Sequence, residues 1–196
     1  MVRLLTPADY ISMSWKNGGG TTTEIATHPS GTALDDFAWR VSVADVDHDG
    51  PFSRFPGIDR TIVLIEGAGM RLRGGAHDAE LTAAFEPHAF SGDDAIDCTL
   101  VAGPIRDFNV MFRRDRAHGT VAVVRGGGAE IAPSEFLLAF AAKGAHECVI
   151  RGRPPDRLAP GHALLVETAP DIEAKPIAIR PLTGDAVALV VSIDLT

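Results

Sequence analysis

The segment Trp15-Lys16-Asn17-Gly18-Gly19-Gly20-Thr21-Thr22-Thr23 sets three glycines beside a cation and an amide. Successive glycine N–H groups can form an anion-holding nest, Lys16 adds a positive charge, and the Asn17 amide both donates and accepts. Neither nucleotide fingerprint fits. A P-loop needs lysine after the last glycine, and GxGxxG needs glycine where Thr23 stands. The same segment also reads as a tight helix-to-strand connection with a solvated lysine. Two arginines are the second signal. Arg40 lies inside an apolar strand pattern, and Arg60 follows the loop 51–59, just before a hydrophobic strand. Facing inward, such an arginine holds a carboxylate through its planar fork. Facing outward, Arg40 is merely solvated and Arg60 pairs with Asp59 or Glu66. Asp107 and Asn109, two apart, share one face of a strand. Asn109 between Phe108 and Val110 is either a ligand contact or an asparagine satisfied by backbone at a bulge.

The remaining residue types are informative by their scatter. His28, His48, His77, His88, His118, His146 and His162 contain no HxH, HxxxH or HExxH spacing, so no metal ligand is assigned. GxSxG is absent, and Ser42 or Ser53 near His48 is a chance-level grouping, so no catalytic residue is assigned either. No cofactor is expected. Arg113-Arg114-Asp115-Arg116 reads as a solvated link.

The elements that must position these residues are mostly strands. The run 39–46 alternates, with Trp39, Val41 and Val43 on one face and Arg40, Ser42 and Ala44 on the other. Further strands are expected at 61–65, 70–73, 109–113, 120–125, 136–141, 148–151, 163–167, 176–179 and 186–194. Gly67, Gly74-Gly75, Gly126-Gly127-Gly128, Gly144, Gly152, Gly161 and Gly184 punctuate them, as in a sandwich or barrel. One helix is expected near the N-terminus, capped by Thr6 with Pro7 at its first position and ended by the glycine triplet. An internal echo suggests two stacked jelly rolls. An apolar strand, a glycine turn and a strand ending Arg-Gly occur around Gly67 and again around Gly144, with a join near 115–120.

Composition bounds the function. The chain has 196 residues, 45% of them hydrophobic and 22% charged, so a packed globular protein is expected. A formal net charge of −8 argues against a nucleic-acid or anionic-membrane partner, though a local cationic pocket for a small acid stays compatible. No apolar run is long enough for a membrane span and no signal peptide is visible. Cys98 and Cys148 form no CxxC and read as buried thiols in a cytoplasmic protein. A homodimer through a sheet edge is the one assembly considered.

Longer motifs carry a resemblance. Trp15-Lys16-Asn17-Gly18-Gly19-Gly20-Thr21-Thr22 with Glu24-Ile25-Ala26, then Phe37-Ala38-Trp39-Arg40-Val41-Ser42-Val43-Ala44, resembles the HutD/Ves family. So do Asp49-Gly50-Pro51-Phe52-Ser53, Phe55-Pro56-Gly57-Ile58-Asp59-Arg60 and Asp107-Phe108-Asn109-Val110-Met111. The resemblance implies an all-β bicupin with a short N-terminal helix. Residues 1–115 would form a first barrel with the ligand pocket and 116–196 a second. It also implies a regulatory role in bacterial histidine utilisation, a small acidic ligand such as N-formyl-glutamate or urocanate, and no cupin metal triad. Combined with the residue reading, it points to one pocket. Lys16, Arg40 and Arg60 would neutralise carboxylates, Asn17, Ser42 and Asn109 would hold other polar atoms, and Trp15 and Phe55 would give apolar walls. The competing expectation is a cupin enzyme acting on a similar acid, with Asp107, Glu24 or a histidine as acid–base group.

Overall fold

A computed structural model describes residues 1–15, 18–33, 36–75, 77–168 and 175–196. It contains nineteen strands among the described residues. In chain order they begin with β1 (Val2–Leu5), β2 (Ile11–Ser14), β3 (Gly20–His28), β4 (Trp39–Val46), β5 (Gly50–Pro51), β6 (Ile58–Glu66) and β7 (Met70–Gly74). There follow β8 (His77–Leu81), β9 (Pro87–Ser91), β10 (Asp97–Leu100), β11 (Ile105–Arg113), β12 (Ala117–Val124) and β13 (Ala129–Ile131). The last six are β14 (Phe136–Lys143), β15 (His146–Ile150), β16 (Asp156–Leu158), β17 (Ala163–Glu167), β18 (Ile177–Pro181) and β19 (Val187–Leu195). No helix among the described residues is long and apolar enough to cross a membrane.

The chain divides into two units. Tyr10–Ala117 forms one, and His118–Thr196 together with Met1–Asp9 forms the other. The expected first unit began at residue 1. Instead β1 pairs antiparallel with β17, Val2 opposite Val166 and Leu5 opposite Ala163, which carries the first residues to the C-terminal unit. The expected N-terminal helix is corrected too. Pro7–Asp9 is a single turn of 3-10 helix, and Ile11–Ser14 is a strand paired with Thr21–Glu24. The capping chemistry is present, with the Thr6 N–H and hydroxyl both donating to the Asp9 carboxylate at 2.8 Å. A local cap closes one turn here, and the ladders on either side claim the flanking residues.

Each unit is a two-sheet jelly roll, and the two share one strand order. The 10–117 unit has a larger sheet β2-β3-β4-β11-β6-β9 and a smaller sheet β5-β10-β7-β8. The other has β12-β19-β14-β17-β1 and β13-β18-β15-β16. Thus β6 to β11 correspond one by one with β14 to β19, as the echo around Gly67 and Gly144 suggests. Even the irregularity repeats. Leu64 faces Asp107 and Glu66 faces Arg106 across one bulge, while Ala141 faces Ala188 and Lys143 faces Val187 across the other. Both turn glycines, Gly67 at φ 102° and Gly144 at φ 65°, adopt backbone that L residues rarely reach.

The cores sit between the sheets of each unit. In the 10–117 unit, Ala44, Val46, Ile62, Leu64 and Ile105 of the larger sheet pack on Met70, Leu72 and Cys98 of the smaller. In the other, Leu137, Ala139, Ala141, Ala188 and Val190 pack on Cys148, Leu158, Ile177 and Ile179. Cys98 and Cys148 are both free and buried, and burial pushes each thiol up to about 12, far from a reactive thiolate.

Candidate functional site

Register builds the site. Side chains two apart on a strand share a face, and facing residues on neighbouring strands stand side by side. On the inner face of the larger sheet, Met111 of β11 lies opposite Arg40 on β4 and Arg60 on β6. One row further along, Asn109 lies between Ser42 and Ile62, with Glu24 of β3 beyond Ser42. In the next row Asp107 lies between Ala44 and Leu64. The face therefore grades from apolar, at Val46, Leu64 and Ile105, to polar at Arg40, Arg60 and Asn109. The polar end lines a cavity of about 680 Å³ together with Trp15, Phe52 and Phe55.

The C-terminal unit is an internal control. By the shared topology, Arg60 corresponds to Leu137, Asp107 to Ala188 and Asn109 to Val190, and all three counterparts belong to the hydrophobic core. The same strands thus fold with apolar residues at the matching places. The polar cluster is a property of one barrel and is not required by the fold.

Each arginine is held differently. Arg40 is only 5% exposed, and its Nε donates to Glu24 Oε2 at 2.6 Å. Its Nη2 is buried without a hydrogen-bond partner. Arg60 is 6% exposed and sits among three rings, its guanidinium carbon 5.4 Å from the Phe52 centroid, 5.5 Å from Phe55 and 4.8 Å from Phe90. Phe90 is its direct neighbour across the β6–β9 ladder. Such a cage attracts the cation through the ring quadrupoles but accepts no hydrogen bond, and Arg60 Nε stays unpartnered. Burial lowers the Arg60 guanidinium to about 10, a drop that Asp107 opposes and Arg40 reinforces. The outward alternatives for Arg60 do not occur, because Asp59 pairs with Arg114 and Glu66 with Arg106.

Asp107 is the opposite case. It is 1% exposed, makes no ion pair among the described residues, and leaves Oδ1 without a hydrogen-bond partner. Burial raises its carboxyl to about 7, with Arg60 pulling down and Asp45 pushing up. The native carboxyl keeps its proton to about pH 7, whereas an unfolded one loses it near pH 3.8. The native state therefore binds more protons in that window, and stability falls as pH rises through it. Asp107→Asn removes this dependence. The variant is expected to melt at least ~3 °C above the native protein at pH 8 and to converge with it near pH 4, by thermal denaturation across that range.

Of the residues singled out in the sequence, Trp15, Arg40, Ser42, Phe55, Arg60 and Asn109 all line the cavity. Trp15 donates its indole N–H to Thr22 Oγ1 at 2.7 Å, which fixes the ring at the wall. Lys16 and Asn17 lie outside the described residues. The glycine triplet joins two strands rather than a helix and a strand. The Gly18 N–H is spent on the Trp15 carbonyl at 3.0 Å, so that amide is not part of a free nest. Gly20 is required by close approach, since a Cβ there would stand 2.2 Å from the Asp45 carbonyl oxygen. Sequence reasoning missed Phe52 and Phe90 of the cage. It weighed Glu24 and Asp107 only as acid–base candidates. The signal for Phe90 was absent, because its neighbour Arg60 is set by strand pairing across thirty positions of chain.

Comparison with known proteins agrees with this architecture. A 21.2 kDa protein from the hutC 3′ region of Pseudomonas putida is 39% identical over 157 residues, covering 80% of this chain and 82% of that one. The crystal structure of a conserved protein of unknown function from Pseudomonas aeruginosa PAO1 matches with a TM-score of 0.90 at 36% identity, over 99% of both chains. The structure of HutD from Pseudomonas fluorescens SBW25 matches with a TM-score of 0.83 at 31% identity, over 100% of both. At 6% identity, oxalate decarboxylase from Bacillus subtilis shares the fold alone, with a TM-score of 0.65 over 98% of this chain and 78% of that one. The paired jelly rolls are thus a bicupin. With residues 7–180 matching the family model HutD, a bicupin carrying this arginine-lined hollow belongs to the HutD family.

Proposed function

We propose that the protein is a metal-independent regulatory protein of histidine utilisation, the context with which the HutD family is associated. It binds a small acid such as N-formyl-glutamate or urocanate. The observation that carries this reading is the pair of buried guanidinium groups, Arg40 and Arg60, which line a cavity of about 680 Å³ and each keep a buried nitrogen without a hydrogen-bond partner among the described residues. Buried donors left unpaired cost free energy, and a carboxylate is the acceptor that satisfies two of them at once. The chain's overall charge of −8 makes such a pocket a local exception, which favours one small anion over an extended acidic partner. Among the described residues, no three histidine, cysteine, aspartate or glutamate side chains gather as metal ligands.

A thermal-shift series with N-formyl-glutamate and urocanate tests the reading. Saturation at a hundredfold over Kd is expected to add about 2.7 kcal/mol, raising Tm by roughly 5–10 °C. No shift with either acid would refute it. The second reading, a cupin enzyme on the same acid, is favoured by Asp107, whose carboxyl near 7 suits proton transfer. Mass spectrometry of the acids after prolonged incubation separates the two. A binding protein returns them unchanged and an enzyme does not.

A further inference from the structure

The donors of the pocket call for an anion, but one buried group calls for something else. Above about pH 7 Asp107 is an ionised carboxylate, which only accepts hydrogen bonds, and its Oδ1 is buried without a partner among the described residues. Asp107 lines the same cavity as Arg60 and belongs to the same face of β11 as Asn109 and Met111. We propose that Asp107 is the specificity-determining residue of this pocket, its carboxylate accepting an N–H from the bound acid. The pocket then selects a carboxylic acid that carries a hydrogen-bond donor close to its carboxylate. It discriminates against a ligand that offers only acceptors. This rests on the acid-binding reading above and deepens it.

Charge arithmetic supports the assignment. The charged groups around Asp107 are Arg60 on β6, Arg40 and Asp45 on β4 and, through Arg40, Glu24 on β3, with the neutral Cys98 thiol on β10. Glu24 pairs with Arg40 and Arg60 lies near Asp107, so with Asp107 ionised these four charges sum to zero, and a carboxylate seated at Arg60 needs an N–H turned toward Asp107. A second anion against Asp107 would bring two buried carboxylates together, whereas an N–H there removes an unsatisfied acceptor. The C-terminal unit again marks the difference, since alanine stands at the equivalent position, Ala188, in the hydrophobic core.

The test compares N-formyl-L-glutamate with its ester analogue, in which an oxygen replaces the N–H. The two have nearly the same shape, but only one has the donor. Calorimetric titration at pH 8, where Asp107 is mostly ionised, is expected to show the amide binding on the order of 30-fold or more tighter. In Asp107→Asn that ratio falls below about threefold, because a carboxamide can turn either its oxygen or its N–H toward the ligand. Equal affinities in the native protein, or an undiminished ratio in the variant, would overturn the assignment and leave the acid-binding reading standing. Failure of both compounds to bind the native protein would overturn this assignment, and if urocanate also gives no thermal shift the acid-binding reading falls with it. The native-protein comparison needs no variant, so a folding defect in Asp107→Asn would not shield the proposal.

Discussion

Arg60→Met is expected to abolish stabilisation by small acids while leaving the fold intact. The guanidinium is enclosed by Phe52, Phe55 and Phe90 and forms no salt bridge among the described residues, so methionine can occupy the same ring-lined space without stranding a countercharge there. Exchanging a buried charge for an apolar side chain of similar length is often neutral or stabilising. The unliganded variant should therefore melt within a few degrees of the native protein and keep its near-ultraviolet circular dichroism. The ligand-induced rise of roughly 5–10 °C should shrink to nearly nothing. Asp107 reports on the same change from the other side. Losing Arg60 removes the charge that holds its carboxyl down, so its ionisation moves higher still. A variant that keeps the full thermal response would show that the acid sits elsewhere.

Glu24→Leu should act in the opposite way, damaging the fold before the pocket can be assayed. Arg40 and Glu24 are 5% and 13% exposed, and their contact is short at 2.6 Å. Removing one partner of a buried pair leaves the other charge uncompensated, which costs about 3–5 kcal/mol. Removing both is far milder, since only hydrophobic filling is then missing. Urea denaturation of Glu24→Leu is expected to show a loss of about 3 kcal/mol or more, most of it recovered in Glu24→Leu combined with Arg40→Met. A single-variant loss below about 1 kcal/mol would mean that Arg40 is solvated and that the pocket is less closed than its burial indicates.

The two experiments separate the roles that the arginines share on paper. Arg40 is anchored by a carboxylate and contributes both to folding and to the wall. Arg60 is anchored by rings, which accept no hydrogen bond from its N–H groups. On the proposed reading the aromatic cage fixes the cation before an acid binds, which would reduce the ordering cost that a flexible arginine carries.

Local chemistry was a good guide where neighbours in sequence decide the outcome. The alternation over 39–46 and the glycines at 67 and 144 mark strands and turns that the structure contains, and the repeated pattern around those glycines corresponds to one strand order used twice. It failed at the N-terminus, where Thr6, Pro7 and Asp9 carry a helix-start signal. Their cap closes a single turn, and Ile11–Ser14 is committed to β3 while β1 is committed to β17, more than 150 residues away. No local propensity can register a partner that distant.

The residue types of the pocket were legible, and their grouping was not. Trp39, Arg40, Val41 and Ser42 are all buried, so alternation could not say which face of the strand meets the cavity. That was settled when β11 came between β4 and β6 and set Arg40 and Arg60 on either side of Met111. Glu24 reaches Arg40 from the neighbouring strand, where it lies opposite Ser42 just before a bulge between Glu24 and Ala26. By itself the sequence determined the β architecture, its internal duplication and an inventory of candidate cations, since each depends on period and residue type. Only the tertiary structure decided that one barrel has a charged hollow while its twin has the core residues Leu137, Ala188 and Val190 at the matching places. Facing side chains in a barrel come from strands far apart in the chain, and cross-strand register, not spacing along the chain, sets which charges meet.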